Sequence, residues 1–324
     1  MGKKKRRQAL IIIFIILVYL GNQSQDFSVK ANSNYSIGLE KGTQILEVKK
    51  YDNETWKNTI NANSTPIDWF GGDAEKIGAK SKSTLLDYYG NALSTYPLFF
   101  TLVIPQKSIS LFSNISQYGY NYTYVFNNYP TLYEIWDYYY NSWNFTTKEF
   151  NVNPDALYEK SYIFKFPQTL STLLLDYNDF AGILNNDTNL QSLGNSFPLL
   201  NGDDLVWQFI IRGFSIGNPK NDYLTTFINA VGCKNATING DTLIFKRYGV
   251  KNYTVEVKYG DQGLIEHFLV KNLDGYVFYE ITSFYPKNVF YIILGGIGIF
   301  ILGIAIAIII KRHKLQKYFN LDSY

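Results

Sequence analysis

The residues Gly213-Phe214-Ser215-Ile216-Gly217 have the G-x-S-x-G spacing of a serine nucleophile elbow, and His267 follows them in the chain. In an α/β-hydrolase such a serine stands on a sharp turn between a buried strand and a helix. Here Leu205 and Phe209 have helical spacing before the serine, and Asn218-Pro219 follows it. The context favours a glycine-rich helix end and loop. We therefore expect no enzyme, and a serine hydrolase acting through Ser215 is the alternative that the motif leaves open.

Metal-binding side chains are scarce between residues 22 and 288, which hold one histidine, His267, and one cysteine, Cys233. A zinc or copper site needs several such ligands. Asp203 and Asp204 precede a helical pattern, where the helix dipole favours negative charge, although a carboxylate metal site is an alternative. We expect no metal and no cofactor, and we expect Cys233 to be a packed residue rather than a nucleophile.

Aromatic residues are concentrated between Tyr118 and Phe145, where 13 of 28 residues are Tyr, Trp or Phe. After Pro130 the apolar side chains follow the i, i+3, i+4, i+7 spacing of one helical face, which predicts a helix. The residues of this face that could contact a ligand are Trp136, Tyr139, Tyr140 and Trp143. Such a stripe either fills a core or forms a ligand surface, and the sequence leaves both interpretations open.

Asn-x-Ser/Thr acceptors for N-linked glycans occur ten times in the chain. Chance placement of 31 Asn and 40 Ser or Thr residues would produce about 4. The candidate sites are Asn34, Asn53, Asn63, Asn114, Asn121, Asn144, Asn186, Asn235 and Asn252, together with Asn22. An acceptor that carries a glycan must face solvent. The excess predicts an exported protein with glycans on its surface.

The segment from Val289 to Ile310 contains 22 residues without a charge. As a helix it would measure about 33 Å, enough to cross a hydrocarbon core of about 30 Å. Aromatic residues such as Tyr285 precede it, and basic residues such as Lys311 and Arg312 follow it. Because positive charge marks the cytoplasmic side, the pattern predicts one transmembrane helix, residues 289–310, and a short basic cytoplasmic tail, residues 311–324.

The N-terminus has the layout of a secretory signal. A basic cluster from Lys3 to Arg7 precedes the apolar run from Ala9 to Leu20. No small-residue cleavage site follows directly, so residues 1–21 are either a signal peptide or an uncleaved signal anchor. Both alternatives place residues 22–288 outside the cell. The sequence therefore predicts a single-pass protein of the cell membrane with an extracellular N-terminal domain.

The predicted extracellular domain holds 21 basic and 26 acidic residues, a net charge of −5. This charge argues against a nucleic-acid partner. Membrane lipid and N-linked glycans are the expected partners. Gly296, Gly303 and Ala307 form a small-residue face on the predicted membrane helix. That face either contacts lipid or packs against a second copy of the chain, so a homodimer through this helix stays open.

Hydrophobic periodicity predicts an α+β fold with N-terminal strands, a central helical portion and C-terminal strands. Strands are expected around Ile45 to Val48 and from Ala79 to Tyr89. The predicted helices that follow the aromatic one are Thr169–Leu184, Asp203–Phe214 and Asp222–Val231. The segment from Tyr118 to Tyr129 fits the periods of a strand and of a helix, so its structure stays open.

The last part of the extracellular domain returns to a period of two residues. Its predicted strands are Thr242–Tyr248, Tyr253–Tyr259, Leu264–Lys271 and Tyr276–Phe284, preceded by a short strand at Ala236–Ile238. Turn sequences such as Asn239-Gly240 and Asp274-Gly275 separate them, which indicates an antiparallel meander. Tyr253, Val255 and Val257 alternate with polar residues, so one face should be wet and the other covered by the central helices.

Three stretches of the chain read KGTQILEVKKYDNETWK, TPIDWFGGDAEKIGAKSKST and NDYLTTFINAVGCKNAT. In them the chain is similar to a group of uncharacterised, exported, single-pass membrane-anchored surface proteins of Asgard archaea. The resemblance implies an archaeal cell-surface location and carries over no catalytic residue.

The function expected from the sequence is a non-enzymatic, membrane-anchored cell-surface glycoprotein with a role in interaction or in the envelope. The alternative is the binding or carriage of a hydrophobic or lipid-like ligand between the β-meander and the aromatic helices. An apolar cavity of several hundred Å³ that opens toward the membrane would favour the carrier. A filled core would favour the first function.

Overall fold

A computed structural model describes residues 35–94, 115–150, 157–194 and 196–284 of the chain. Within these residues the fold is α+β, as the sequence predicts, with nine strands in one antiparallel sheet and several helices. The predicted signal segment, membrane helix and cytoplasmic tail lie outside the described residues. No helix among the described residues is long and apolar enough to span a bilayer.

The nine strands of the described residues form a single sheet. They are β1 (Gly42–Tyr51), β2 (Lys80–Ser94), β3 (Leu132–Thr146), β4 (Leu157–Phe164), β5 (Ala236–Asn239), β6 (Thr242–Tyr248), β7 (Asn252–Tyr259), β8 (Ile265–Asn272) and β9 (Val277–Phe284). Their spatial order is β4-β3-β2-β1-β9-β8-β7-β6-β5. Strands β1 to β4 therefore form one half of the sheet, and β5 to β9 form the other.

The helices of the described residues lie between the strands β1 and β3 and between β4 and β5. They are α1 (Asn53–Thr59), α2 (Ile67–Phe70), α3 (Tyr122–Asn128), α4 (Leu170–Asn186), α5 (Thr188–Ser192), α6 (Gly202–Ile211) and α7 (Lys220–Ala230), with a 3₁₀ turn at Pro167–Thr169. The three helices predicted in the middle of the chain are confirmed as α4, α6 and α7. Asn201 and Asp204 form a capping box at the start of α6, because each side chain accepts a hydrogen bond from the backbone N–H of the other residue.

Strands β1 and β9 join the two halves of the sheet. Val48 of β1 pairs with Ile281 of β9, and both side chains are buried. At the end of β1, Tyr51 makes edge-to-face contacts with Trp56 and Tyr279, with ring centroids 6.0 Å apart in each pair. Such contacts add about 0.5–1.5 kcal/mol to the burial of the rings. The junction is therefore held by main-chain pairing and by aromatic packing.

The predicted meander is confirmed as the strands β5 to β9. Val255 and Val257 are fully buried, whereas Lys258 is exposed. One face of the meander is therefore covered, and the other face is exposed to solvent. Helix α6 covers the buried face, where the ring of Trp207 stacks on that of Phe245 with centroids 6.1 Å apart. Side chains thus fill the space between the meander and the central helices.

The helix predicted after Pro130 is wrong, because Leu132–Thr146 form the strand β3. β3 pairs with β2 on one side and with β4 on the other, so that Tyr138 lies between Tyr88 and Ser161. Aromatic and β-branched residues are favoured in strands. Since aromatic residues occupy adjacent positions here, the stretch fits a period of 3.6 as well as a period of two. Pairing with two neighbouring strands decides its structure.

The segment that fitted both a strand and a helix contains the helix α3. Asn121 caps this helix, because its side-chain oxygen accepts a hydrogen bond of 3.1 Å from the backbone N–H of Tyr124. The strand predicted at Ala79–Tyr89 is confirmed as β2, which continues to Ser94.

Gly263 in the turn between β7 and β8 provides a test of how the meander packs on the loop after α6. Gly263 has a φ of 72°, and its carbonyl accepts a hydrogen bond of 2.9 Å from Ile216 N. A Cβ at Gly263 would collide with the carbonyl oxygen of Ile216. Gly263→Ala is expected to lower the free energy of unfolding by about 3 kcal/mol or more, since it combines backbone strain with a clash.

Gly275→Ala is the matched control. Gly275 has a φ of 80°, but no atom lies near the place of its Cβ. This variant should lose only about 1–2 kcal/mol through backbone strain. Thermal unfolding of both full-length variants in detergent, followed by near-UV circular dichroism, measures the difference. Equal losses in the two variants would show that the Gly263 turn does not pack on Ile216.

Candidate functional site

A cleft of about 550 Å³ opens beside the N-terminal half of the sheet. One wall consists of residues of the strands β1 to β4. The other wall consists of Trp69, Phe70, the end of α6 and the residues of the β7–β8 turn. The lining mixes hydroxyl, amide, carboxylate and guanidinium groups with aromatic rings, so the cleft can make polar and apolar contacts with one ligand.

The sheet wall of the cleft belongs to the face that forms the hydrophobic core. Residues directly opposite one another on paired strands point to the same face. From β1 into the meander, this face is apolar and buried. The paired residues that show it are Val48, Ile281, Phe268, Val257 and Leu243.

In the N-terminal half the same face becomes polar. Gln44 shares the face of the buried valine of β1, because the two residues are four positions apart on one strand. Gln44 pairs with Ser83 of β2, which pairs with Ser142 of β3. Beside them, Tyr140 of β3 pairs with Glu159 of β4. One sheet face therefore packs as core in one half of the sheet and lines an open cleft in the other.

Glu159 is the centre of a hydrogen-bond network in the cleft wall. Its carboxylate accepts hydrogen bonds from the hydroxyl of Tyr140, at 2.6 Å, and from Oγ of Ser142, at 2.7 Å. Burial raises the pKa of Tyr140 above its usual value, and the neighbouring Tyr138 and Glu159 raise it further. Tyr140 is therefore a neutral donor that fixes the orientation of the Glu159 carboxylate.

Aromatic rings and a cation contribute to the facing wall. Trp69 and Phe70 are half-buried, and the ring centroid of Trp69 lies 4.9 Å from that of Trp207. Arg212 directly follows α6, and burial lowers the pKa of its guanidinium. Arginine keeps its proton in proteins even so. The cleft is thus lined by ring faces and by charges of both signs.

The four aromatic residues predicted as one ligand surface do not lie together. Tyr140 and Trp143 line the cleft, and Trp136 does not. Tyr139 points to the other face of the sheet, where its ring stacks on that of Tyr158 with centroids 5.7 Å apart. The helical face on which the four residues were placed does not exist, because successive residues of a strand point to opposite faces.

The residues of the nucleophile motif are also apart. Ser215 is fully buried, and its Oγ lies 2.8 Å from the hydroxyl of Tyr138. Nε2 of His267 lies 2.8 Å from Oε1 of Glu280. The segment before Ser215 is the end of α6 and a glycine with a φ of 70°, Gly213, as expected for a helix end and loop. Among the described residues, no histidine hydrogen-bonds to the serine.

Sequence reasoning missed Gln44, Ser81, Ser83 and Glu159 of the cleft. A signal for the two serines exists in the KSKST run of β2, which is polar at consecutive positions. A strand that is polar on both faces has no face for a core. No short pattern reveals Glu159, because its position beside the serines depends on the pairing of separate strands.

Asp203 connects the start of α6 to the loop before β5. Its carboxylate accepts hydrogen bonds from the Cys233 thiol at 2.8 Å, from the backbone N–H groups of Lys234 and Asn235 at 2.9 Å, and from Nδ2 of Asn235 at 2.8 Å. Burial raises the pKa of Asp203, but these hydrogen bonds outweigh burial and hold the pKa below its usual value. Burial and Asp203 raise the pKa of Cys233 to about 12, so Cys233 is a neutral thiol.

The adjacent aspartates have structural partners. Asp203 binds the loop before β5, and Asp204 belongs to the capping box of α6. Within the described ranges, no group of three or more His, Cys, Asp or Glu side chains is arranged to hold a metal ion.

The sequon asparagines within the described residues are all exposed. They are Asn53, Asn63, Asn121, Asn144, Asn186, Asn235 and Asn252. Of the 14 other asparagines whose burial is described, nine are exposed and five are half-buried. Asn34 and Asn114, like Asn22, lie outside the described residues. Asn144 also contributes to the lining of the cleft.

The Asp203 contacts predict a pH dependence of stability. Because the pKa of Asp203 is lower in the folded state than in the unfolded chain, its stabilisation is complete above about pH 4 and is lost as the pH falls through the folded pKa. Asp203→Asn should lower the free energy of unfolding by about 1 kcal/mol at neutral pH, since the carboxylate is partly exposed. The difference from the unaltered chain should shrink below pH 4, as measured by urea unfolding at several pH values.

Asp274→Asn, an exchange at an exposed turn residue, is the control and should leave the pH dependence unchanged. If Asp203→Asn followed the same stability curve as the unaltered chain at all pH values, the Asp203 carboxylate would not hold the loop before β5.

Comparison with known proteins gives the chain no relative. No family model matches it, no curated protein matches it, and no solved structure matches it.

Proposed function

We propose that the chain is a membrane-anchored cell-surface glycoprotein whose extracellular domain, residues 22–288, has a non-enzymatic role in interaction or in envelope organisation. The observation that carries this proposal is the exposure of all seven sequon asparagines within the described residues. These acceptors lie on helices, strands and loops in many parts of the fold. Exposure is what an acceptor needs in order to carry a glycan.

The end of the last strand supports an anchor close to the domain. Phe284 ends β9, and the predicted membrane helix begins at Val289. Five residue steps span at most about 17 Å. The end of the sheet at which β9 stops would therefore lie near the bilayer. Lys80, Lys82 and Lys148 line an open groove of about 660 Å³ together with Phe284. Their charges suit the phosphate-bearing headgroups of membrane lipid.

Two nucleophilic side chains in the described residues lack the surroundings of catalytic groups. Ser215 is buried and bonded to a tyrosine hydroxyl, and Cys233 keeps its proton because burial and Asp203 raise its pKa. A nucleophile must be accessible to substrate and activated by a base. These observations support a binding role over a catalytic role.

The second candidate function, carriage of a hydrophobic or lipid-like ligand between the meander and the helices, has less support. Trp207, Phe245 and the buried valines of β7 fill that space. The cleft lies beside this filled space, and its sheet wall contains polar residues such as Gln44, Ser83 and Glu159, which do not suit a hydrocarbon chain. The resemblance to archaeal surface proteins agrees with a surface location and remains a prediction.

The proposal is tested by protease treatment of intact cells that produce the chain, followed by mass spectrometry. Protease should remove the extracellular domain, and peptides with the described sequons, such as those at Asn53 and Asn252, should carry glycans. Peptides with exposed asparagines and no sequon, such as the peptide between Lys220 and Lys234 with Asn221 and Asn229, provide the control and should be unmodified. A domain that survives the protease and carries no glycan at any sequon would contradict the proposal.

A further inference from the structure

We propose that the cleft beside β1 to β4 is a saccharide-binding site. The inference extends the proposed function, because it assigns a class of ligand to the recognition role. The assignment of a saccharide site is argued from the composition of the cleft walls. The identity of the natural saccharide rests in addition on the proposed export and glycosylation of the chain.

The polar wall has the character of a built site. Gln44, Ser83 and Ser142 occupy positions that are filled by buried apolar residues in the meander half of the same sheet face. A buried valine or leucine at such a position would add about 1.5–3 kcal/mol of stability. Residues that break the apolar pattern of a core face at a cost in stability are expected at functional sites. The three polar residues Gln44, Ser83 and Ser142, which pair directly across adjacent strands, break the pattern in this way.

The hydrogen-bonding groups of this wall are suited to the hydroxyl groups of a sugar. Ser81 and Ser83 line the cleft, and their hydroxyls make no hydrogen bond to any described residue. Gln44 donates one N–H to the carbonyl of Ile265, at 2.6 Å, and its amide oxygen is an acceptor. The Glu159 carboxylate, oriented by Tyr140 and Ser142, is a further acceptor. The wall therefore offers both donors and acceptors.

Two aromatic residues add apolar surface to the cleft. Trp69 and Phe70 are half-buried and line the cleft, and their rings are held in place by packing on Phe268 of the core. Aromatic rings bind amphipathic groups through their faces. The volume of about 550 Å³ lies within the usual range of sites for small ligands, about 300–1,000 Å³. Hydroxyl, amide and carboxylate groups together with aromatic residues in one cleft fit a saccharide better than a hydrocarbon chain.

Asn144 suggests where the saccharide comes from. It is an exposed sequon asparagine near the end of β3, two residues after Ser142, and it contributes to the lining of the cleft. A glycan on Asn144 would begin at the cleft itself. The saccharide is therefore either the chain's own glycan at Asn144 or a glycan of another molecule, and the same groups would bind both.

Binding is measured by microscale thermophoresis of the full-length chain in detergent. The probe is the mixture of oligosaccharides released by hydrazine from the membranes of the producing cells and labelled with a fluorophore. Asn144→Gln is compared with the unaltered chain. If both bind, the site accepts external glycans. If only Asn144→Gln binds, the chain's own glycan occupies the cleft. Both results support the proposal, and absence of binding by both chains overturns it.

Substitutions in the wall test whether the cleft is the place of binding. Each substitution is made in a chain that binds the probe, either the unaltered chain or Asn144→Gln. Ser83→Leu should weaken binding at least tenfold, because a larger apolar side chain would replace a hydroxyl of the wall. Thr84→Leu is the matched control, since Thr84 is the next residue of β2 and points to the other face. Glu159→Gln keeps the size of the side chain and should also weaken binding about tenfold, which corresponds to about 1.4 kcal/mol.

Equal affinities of Ser83→Leu, Glu159→Gln and Thr84→Leu would overturn the assignment of the cleft. Thermal unfolding of each variant verifies that the domain is folded. The assay uses purified protein, so a failure of binding is distinguishable from a failure of the proposed surface location, which is decided on intact cells.

Discussion

The pairing of β1 with β9 is the contact on which the rest of the described structure depends. It joins strands from the two ends of the domain, with Val48 opposite Ile281. Without it the sheet would end in two open edges at its middle, where unpaired N–H and C=O groups are costly to bury. The hydroxyl of Tyr279 on β9 also donates a hydrogen bond of 2.8 Å to the carbonyl of Ala74, so the loop before β2 is held at the same junction.

The junction also explains how one domain combines a closed core with an open cleft. The core face continues across β1, where it changes from Val48, which is buried in the core, to Gln44, which lines the cleft. Helix α6 covers the meander half and ends at Ile211, beside the cleft. Beyond the helix this sheet face lines the cleft, where serines, a glutamine and a glutamate lie among residues such as Leu46, Leu85 and Tyr140. The last turn of α6 therefore lies between the packed part of the sheet face and the cleft.

Much of the fold could be predicted, because its elements are defined by neighbouring residues. The turns at Asn239-Gly240 and Asp274-Gly275 and the alternation between them specify the meander, and Asn201 marks the start of α6. The prediction failed at Leu132–Thr146, where adjacent aromatic residues fit two periods and only the pairing with β2 and β4 decides. The cleft could not be predicted for the same reason, since Gln44 and Glu159 meet through four strands that are far apart in the chain.

Native-state hydrogen exchange of the full-length chain, at increasing denaturant, tests whether the two halves form one sheet. Amides of β1 and amides of β9 that hydrogen-bond across this pairing should exchange through one common opening with the same free energy and the same denaturant dependence. If β1 opened together with β2 to β4 while β9 stayed protected with the meander, the halves would be independent units, and the single nine-stranded sheet would be contradicted.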